Sequence, residues 1–577
     1  MILRSGTTAS PGLASGEAVL YRPQDLRYAP GKPESVDGEV RRLQEAADRA
    51  VQELAALQAS VRTRLGEDFA HIFRSQQTIV EDEAILGEVY EAIRTQTLTA
   101  EAALALVFDA YAAMFGELSD DDYNKSRGAD IEDVHQRLLR NLLGLPEVSL
   151  SRMDEGSIVI AEDLLPSDTA TMDTDHVRAI ITEKGGPTSH VAILARSLRI
   201  PAAVATRNVL EAVHDRDEVF LDATDPGEAY VVVAPDENKR SELAGRLKRY
   251  ELRQARSAAY TGRRPVTTDG HLVEFSANVG STAELAPAAS AGATSIGLYR
   301  TEFLFLNSSR LPDEEQQFEA YRTAAEQFSD GYVIIRTLDI GGDKQVTGLP
   351  VHHERNPFLG NRGLRFCLSR PELFRTQLRA ILRASAYGDV RVMFPMVAGL
   401  NELNDALVLF NQERNALASE GVPYHEHVQV GVMIEVPSAV LLAEELAQRV
   451  SFFSIGTNDL TQYLLASDRL NEQVARYYRR YDPAVFRAVR QVVQAAHRHN
   501  CSVGVCGELG GDALAVPALL GLGVDELSMS PSSIAEATWY VCNDTYESMQ
   551  KIAERVIRSE TDTEIEAVLT EHYREKE

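Results

Sequence analysis

The part of the chain after residue 263 alternates strand-like and helix-like runs with a regularity that few folds can absorb. Eight apolar, β-rich runs can be read at 271–279, 295–299, 332–340, 390–396, 430–436, 452–456, 502–506 and 524–529, with helical stretches between them. Eight strand–helix units over about 300 residues predict a (β/α)8 barrel of the TIM type, a closed ring of parallel strands covered by helices. Such a barrel carries its chemistry at the carboxyl ends of the strands, so polar residues should gather there. They do: Arg300 follows the second run, Arg336 closes the core of the third, and Glu435 ends the fifth. Asn458 and Asp459 end the sixth, and Cys506 ends the seventh.

The first half reads differently. Ser10-Pro11-Gly12 lies between apolar stretches and predicts a strand and turn near the start of the chain. From about residue 40 to 143 the period becomes helical, with apolar residues at Val40, Leu43, Ala47, Val51, Leu54 and Leu57. Ile79, Leu86, Val89 and Ile93 form a second face, Leu104, Phe108, Tyr111 and Phe115 a third, and Ile131, Val134, Leu138 and Leu142 a fourth. About four helices are therefore expected, with little strand signal. Strand-like runs resume at 157–161, 177–182, 218–221 and 230–233. The helical unit thus reads as an insertion into an α/β domain, and 236–257 as a polar, exposed helix joining the two halves. The expected fold class is multidomain α/β. Residues 1–30 and 146–234 form one α/β domain, 31–145 an inserted all-helical subdomain, 235–262 a linker helix, and 263–577 the barrel.

Within the α/β domain one run stands out: Gly185-Gly186-Pro187-Thr188-Ser189-His190, followed by Val191-Ala192-Ile193-Leu194. It reads as strand, glycine turn and helix start, with Thr188 and Ser189 as capping residues. His190 then sits in the first turn, where free N–H groups and the helix dipole favour negative charge. An imidazole there can accept a phosphoryl group and hold it as a dianion.

Composition narrows the classes of function. A net charge of −28 argues against nucleic acid as the main partner, because phosphate contacts need clustered Lys and Arg. The four cysteines, Cys367, Cys501, Cys506 and Cys542, form neither a disulfide framework nor a CxxC metal pattern. No apolar run reaches membrane-spanning length and the first residues lack an apolar signal core, so a cytoplasmic protein without membrane insertion is expected.

Glu435 and Asp459, at the ends of neighbouring strands, suit a hard divalent cation that keeps several waters, as Mg2+ does beside a phosphorylated substrate. Arg300, Arg336 and Arg469 could converge on the same mouth, where guanidinium forks match phosphate and carboxylate oxygens. A small substrate carrying both groups, such as an enol phosphate acid, fits that balance.

Taken together these motifs resemble enzyme I of the bacterial phosphoenolpyruvate-dependent sugar phosphotransferase system over essentially the full chain. The phosphohistidine motif is matched by 185–190, and a second signature by Phe453-Ser454-Ile455-Gly456-Thr457-Asn458-Asp459-Leu460-Thr461-Gln462-Tyr463. Gly297-Leu298-Tyr299-Arg300-Thr301-Glu302, Arg336-Thr337-Leu338-Asp339-Ile340-Gly341-Gly342-Asp343-Lys344, Asn356-Pro357-Phe358-Leu359-Gly360-Asn361-Arg362 and Cys506-Gly507-Glu508-Leu509-Gly510-Gly511-Asp512 complete the match. The resemblance implies that His190 is phosphorylated by phosphoenolpyruvate and passes the group to a histidine of the phosphocarrier HPr. That is the first step of sugar uptake by the system, and pyruvate is released. It implies that Arg300, Arg336, Arg469, Asn458 and Asp459 bind substrate, that Glu435 and Asp459 bind Mg2+, and that Cys506 is the general acid. Lys344 and Arg362 match motif positions near the same mouth.

The resemblance further implies that HPr docks on the helical subdomain, that the histidine domain swings between substrate and carrier, and that the barrel mediates a homodimer. The alternative is a regulatory or low-activity paralogue serving another phosphocarrier. ATP-using relatives would need a nucleotide-binding domain with a phosphate-cradling glycine loop, which the region before His190 lacks. The chain departs from the family pattern at Pro187, where arginine is usual, and at Gln76, where histidine is common. Ser451 stands where the second signature usually begins with an acidic residue.

Overall fold

The computed structural model describes the chain except residues 1, 23, 25, 29–31, 66, 118–121, 147–149, 151–152, 187–188, 226, 307–309, 343–353, 470, 472 and 577, and except the side chains of 2, 65–69, 115–127 and 197. The expectations attached to Pro187, Thr188 and Lys344 lie outside the described residues, as does the side chain of Phe115. The chain divides into two units, Met1–Glu251 and Leu252–Glu577.

The first unit contains strands β1 (Ile2–Ser10), β2 (Gly12–Tyr21), β3 (Ser157–Ala161), β4 (Val177–Thr182), β5 (Ala202–Val204), β6 (Glu218–Ala223) and β7 (Ala229–Val233). They close into a barrel in the order β1-β5-β4-β3-β2-β6-β7. The run from β2 through β3 and β4 to β5 is parallel, and the remaining pairs are antiparallel. Parallel strands need crossovers. One crossover, between β2 and β3, carries five helices: α1 (Val36–Leu65), α2 (Glu67–Val80), α3 (Glu83–Gln96), α4 (Ala100–Glu117) and α5 (Asp122–Leu143).

Periodicity suggested four helical faces, one of which joined Ile79 to Ile93. The structure breaks that face at Asp82, whose carboxylate accepts a hydrogen bond from the Ala84 N–H at 2.8 Å and caps α3. The helices have their own core, with Leu43, Leu54, Phe73, Val89, Ile93, Leu104 and Leu138 buried together. Helices α6 (Pro166–Thr171) and α7 (His190–Leu198) follow β3 and β4. Strand β5 escaped notice because three residues are too few to show a period. The polar stretch read as an exposed helix is helical over Glu237–Ala258, but Leu243, Leu247 and Tyr250 pack on Leu13, Phe220 and Val232.

In the second unit all eight expected strands are present and parallel: β8 (Glu274–Val279), β9 (Ile296–Arg300), β10 (Tyr332–Arg336), β11 (Asp389–Phe394), β12 (Val430–Ile434), β13 (Phe452–Ile455), β14 (Ser502–Val505) and β15 (Glu526–Met529). They close as a barrel in sequence order, β8 pairing with both β15 and β9. Several strands end earlier than their apolar runs. β10 stops at Arg336 because the backbone leaves the sheet there: the Leu338 N–H donates to the Gln377 side-chain oxygen at 2.8 Å instead of to a neighbouring strand. That turn carries Asp339 to the carboxyl end of the barrel. Among the described residues no helix is long and apolar enough to cross a membrane.

One glycine decides the geometry at this end. Gly363 has φ 59° and ψ −126°, a conformation that side chains with a Cβ avoid, and an added Cβ would lie 2.8 Å from the Met396 side chain. Gly363→Ala is expected to destabilise the barrel by about 1–3 kcal/mol, read as a lowered denaturant midpoint. An unchanged midpoint would show that the turn relaxes freely.

Candidate active site

His190 is the first residue of α7. Ser189 caps this helix, its hydroxyl accepting from the Ala192 N–H at 3.4 Å, and Gly185 at φ 89° makes the turn out of β4. His190 is half-buried, and burial pushes its pKa below the ordinary 6.5, against the opposite pull of Asp133 and Asp163. The imidazole is therefore mainly neutral near pH 7.

Asp133, on α5, is itself buried and accepts from the Ser167 N–H at 3.0 Å, from the Ser167 hydroxyl, and from the Gln76 amide at 3.1 Å. Gln76 is fully buried. Its amide donates inward, to Asp133 and to Asp130 at 3.4 Å, and it holds Asp133 with a group that does not titrate. Next to it Asp168 accepts from the Tyr21 hydroxyl at 2.5 Å, and burial raises its pKa to about 6.

In the second unit a set of buried charges gathers at the carboxyl ends of neighbouring strands. The guanidinium of Arg336 reaches Glu302 at 2.6 Å and Asp339 at 3.1 Å, and rests against the Met433 sulfur at 3.8 Å. Arg362 bridges Asp339 at 3.2 Å and Asp459 at 2.8 Å. Glu435 is fully buried; one oxygen accepts from the Met396 N–H at 2.6 Å, and the other, Oε2, has no hydrogen-bond partner among the described residues. Burial first, and then the nearby Asp459 and Asp339, raise its pKa to about 8, while Arg336 and Arg362 pull it down. Arg300 lies beside Arg336 in the strand register, and its Nε is buried without an acceptor among the described residues.

Cys506 is 5% exposed and packs with Leu298, Ile334 and Met433 inside the barrel. Burial raises its thiol to about 12, with Arg336 and Glu435 exerting opposing smaller effects, so the sulfur stays protonated at neutral pH. On the rim, Asn458 and Glu508 are cross-bonded: the Asn458 amide donates to Glu508 at 3.0 Å, and the Glu508 N–H donates back at 3.0 Å. The Tyr478 hydroxyl donates to the Asn458 carbonyl at 3.2 Å, and Arg469 acts on the same tyrosine.

Arg336, Glu435, Asp459 and Cys506 thus share one neighbourhood with Arg300 beside it. Asn458 and Arg469 form a rim cluster reached through Tyr478, and His190 belongs to the other unit. Sequence reasoning passed over Glu302 and Asp339 as functional candidates, although both stand inside quoted motifs. Their signal was a carboxylate two or three residues beyond an arginine at a strand end.

The donor set fits a divalent cation that keeps most of its own water. The buried Glu435 Oε2 is an oxygen without a donor, and Asp459 presents a second carboxylate on the next strand end. Among the described residues no group of three or more His, Cys, Asp or Glu side chains could hold a metal ion. Two carboxylates completed by water and substrate oxygens is the arrangement Mg2+ prefers.

Three family models match the chain: the N-terminal part of PEP-utilising enzymes over 5–127, their mobile domain over 153–225, and their PEP-binding domain over 254–544. A phosphoenolpyruvate-protein phosphotransferase of Geobacillus stearothermophilus is 42% identical over 560 residues, 97% of this chain and 96% of that protein. Proteins of the same name from Enterococcus faecalis and Bacillus subtilis are 40% and 39% identical, over 98% and 99% of this chain and 99% of each relative.

The state of Cys506 can be read directly. Its raised pKa keeps the thiol, not the thiolate, dominant through pH 9, and the thiolate is the nucleophile. Alkylation by iodoacetamide at pH 8, followed by peptide mass spectrometry, should modify the partly exposed Cys542 first and leave Cys506 largely intact. Rapid modification of Cys506 would mean a thiolate and remove it as a proton donor.

Proposed function

The chain belongs to the phosphoenolpyruvate-protein phosphotransferase family, and we propose that it carries the phosphoryl group of phosphoenolpyruvate on His190 to the phosphocarrier HPr. It is an enzyme that uses phosphoenolpyruvate as donor and releases pyruvate. The observation that supports these residues as its apparatus is a single arrangement. Paired guanidiniums, an oxygen without a donor on Glu435 and a protonated thiol meet at one barrel mouth.

Phosphoryl transfer asks for positioning and charge neutralisation more than for covalent chemistry from the protein. In this reading Arg300, Arg336 and Arg469 hold the phosphate and carboxylate oxygens, and Asn458 and Asp459 orient the substrate. Glu435 and Asp459 would hold Mg2+, which when bound neutralises charge on the transferring group. A neutral ring nitrogen of His190 forms the bond to phosphorus as the bond to the bridging oxygen breaks, and that electron pair leaves with the enolate of pyruvate. The Cys506 Sγ–H gives its proton to the methylene carbon of the enolate, completing pyruvate. His190 then yields the phosphoryl group to a histidine of HPr.

The reading assigns 1–30 and 146–234 to the phosphohistidine domain, 31–145 to HPr docking, 235–262 to a linker helix and 263–577 to substrate binding and homodimerisation. It places the protein in the cytoplasm.

The test is direct. Purified protein given Mg2+ and labelled phosphoenolpyruvate, without ATP, should acquire an acid-labile phosphoryl group and lose it to added HPr. His190→Ala should not label, and a variant that still labels overturns the assignment. Cys506→Ala should slow pyruvate formation about 100-fold or more while changing phosphoenolpyruvate affinity little. Equal losses in both would remove its general-acid role.

A further inference from the structure

One contact at the barrel mouth is not required by the transfer chemistry. Asp459 has both carboxylate oxygens engaged by the fork of Arg362, Nη1 at 2.8 Å from Oδ1 and Nη2 at 3.1 Å from Oδ2. The same guanidinium also donates to Asp339, from Nε at 3.2 Å and from Nη2 at 3.4 Å. Arg362 is 2% exposed, with the Phe358 ring 5.6 Å away and the Tyr463 hydroxyl 3.4 Å from Nη1. Its backbone is packed closely: a Cβ on Gly341 would lie 2.9 Å from the Arg362 Cα. The side chain is thus enclosed between two carboxylates.

We propose that Arg362 is a resident counter-cation that competes with the divalent ion for Asp459, and that Asp339 retains it when the ion is bound. This rests on the reading of Glu435 and Asp459 as the ion's protein ligands. A guanidinium does not lose its proton in proteins, so it cannot yield by neutralising. A dication arriving on Asp459 meets a fixed positive charge a few ångströms away, in a site where repulsion is poorly screened. Relief comes from a shift toward Asp339, which already accepts two of the guanidinium's N–H groups. Asp339 also holds Arg336, so the shifted state stays connected to the rest of the mouth. Without such a cation Asp459 would lose the guanidinium that engages both its oxygens and Asp339 would lose one of the two it holds, in a mouth that also buries Glu302 and Glu435. Uncompensated buried charge is strongly destabilising.

Direct binding of Mn2+ to the full-length, substrate-free protein, read by the electron paramagnetic resonance of free Mn2+, tests this without turnover. Arg362→Gln should tighten Mn2+ binding by about 10-fold or more, the scale on which groups adjoining the ligands act. Arg362→Lys keeps the charge but not the fork, and should tighten it by a smaller factor. Asp339→Asn removes the alternative partner and should weaken binding. Arg300→Gln removes a positive charge that has no carboxylate partner among the described residues, and should change binding little.

The inference is overturned if Arg362→Lys binds Mn2+ like the parent, or if Arg300→Gln and Arg362→Gln tighten it equally, since general charge is then the whole effect. Glu435→Gln separates the two levels. If it leaves Mn2+ binding intact, the ligand assignment itself fails; if it abolishes binding while the Arg362 variants do nothing, only the competition fails. Circular dichroism of each variant identifies unfolded ones, and Asp339→Asn, with its opposite expected sign, keeps the test decisive should Arg362→Gln not fold.

Discussion

The barrel mouth depends on one requirement: charges taken out of water must be paired. Glu302, Asp339, Glu435 and Asp459 are all nine-tenths or more buried, and so are Arg336 and Arg362. Burial of a lone carboxylate costs several kcal/mol, and pairing recovers this only when geometry is good and the remaining lone pairs are satisfied. That demand explains why the groups come from so many segments. Arg336 closes β10, Asp339 stands in the turn after it, Arg362 comes from the loop before Gly363, Glu435 follows β12, and Asp459 opens the helix after β13. The strand ends and the loops after them supply the charges, and the closure of the barrel brings the opposite signs together. The pairing is incomplete at Glu435 Oε2 and Arg300 Nε. In the proposed reading, those incompletely satisfied atoms are where an anionic substrate and its cation have something to gain.

Burial alone does not make such a site, as the opposite end of the same barrel shows. Glu526, at the start of β15, is half-buried, and its pKa is raised to about 7, first by burial. Its partner there is the hydroxyl of Ser276, with Tyr332 adjacent, and Gly297 and Gly504 leave room for the carboxyl where a Cβ would collide with it. There the carboxyl is accommodated by hydrogen bonding rather than by a guanidinium. No guanidinium bridges it to a second carboxylate among the described residues. The two ends carry comparable perturbation and differ in what surrounds it, so perturbation is informative only together with the charge pattern.

The barrel was legible in the sequence because a parallel strand buried on both faces reads as a continuous apolar run, and eight such runs were separable. The residues at the run ends were legible for the same reason, since the first polar residue after an apolar strand marks its carboxyl end. What could not be read was which of those charges meet. Asp339 and Arg362 are far apart in sequence from Asp459, and only the closed ring brings 339, 362 and 459 within hydrogen-bonding distance. Strand ends were overestimated for a related reason. Thr337, Leu338 and Ile340 are as buried as strand residues, but they spend their burial on a turn that aims Asp339 inward. In the first unit, the break at Asp82 was missed because apolar spacing continued through it, and a capping aspartate does not interrupt a hydrophobic period.

The histidine site answers the charge problem in the opposite way. Where the barrel mouth balances full charges, His190 is kept neutral by burial, and the acidic residues near it are themselves tied up by hydrogen bonds. Asp133 favours a cationic imidazole, yet toward a phosphoryl dianion on the same ring it acts repulsively. Gln76 matters here because its amide satisfies Asp133 without neutralising it, whereas a histidine at 76 could add a positive charge to the same network. In the proposed reading, where His190 accepts a phosphoryl and then surrenders it, a surrounding that stabilises the neutral ring but not the dianion favours onward transfer. In the proposed reading the attraction that remains comes from the positive end of the α7 dipole, beside the Ser189 cap, which favours a dianion without holding it as a salt bridge would.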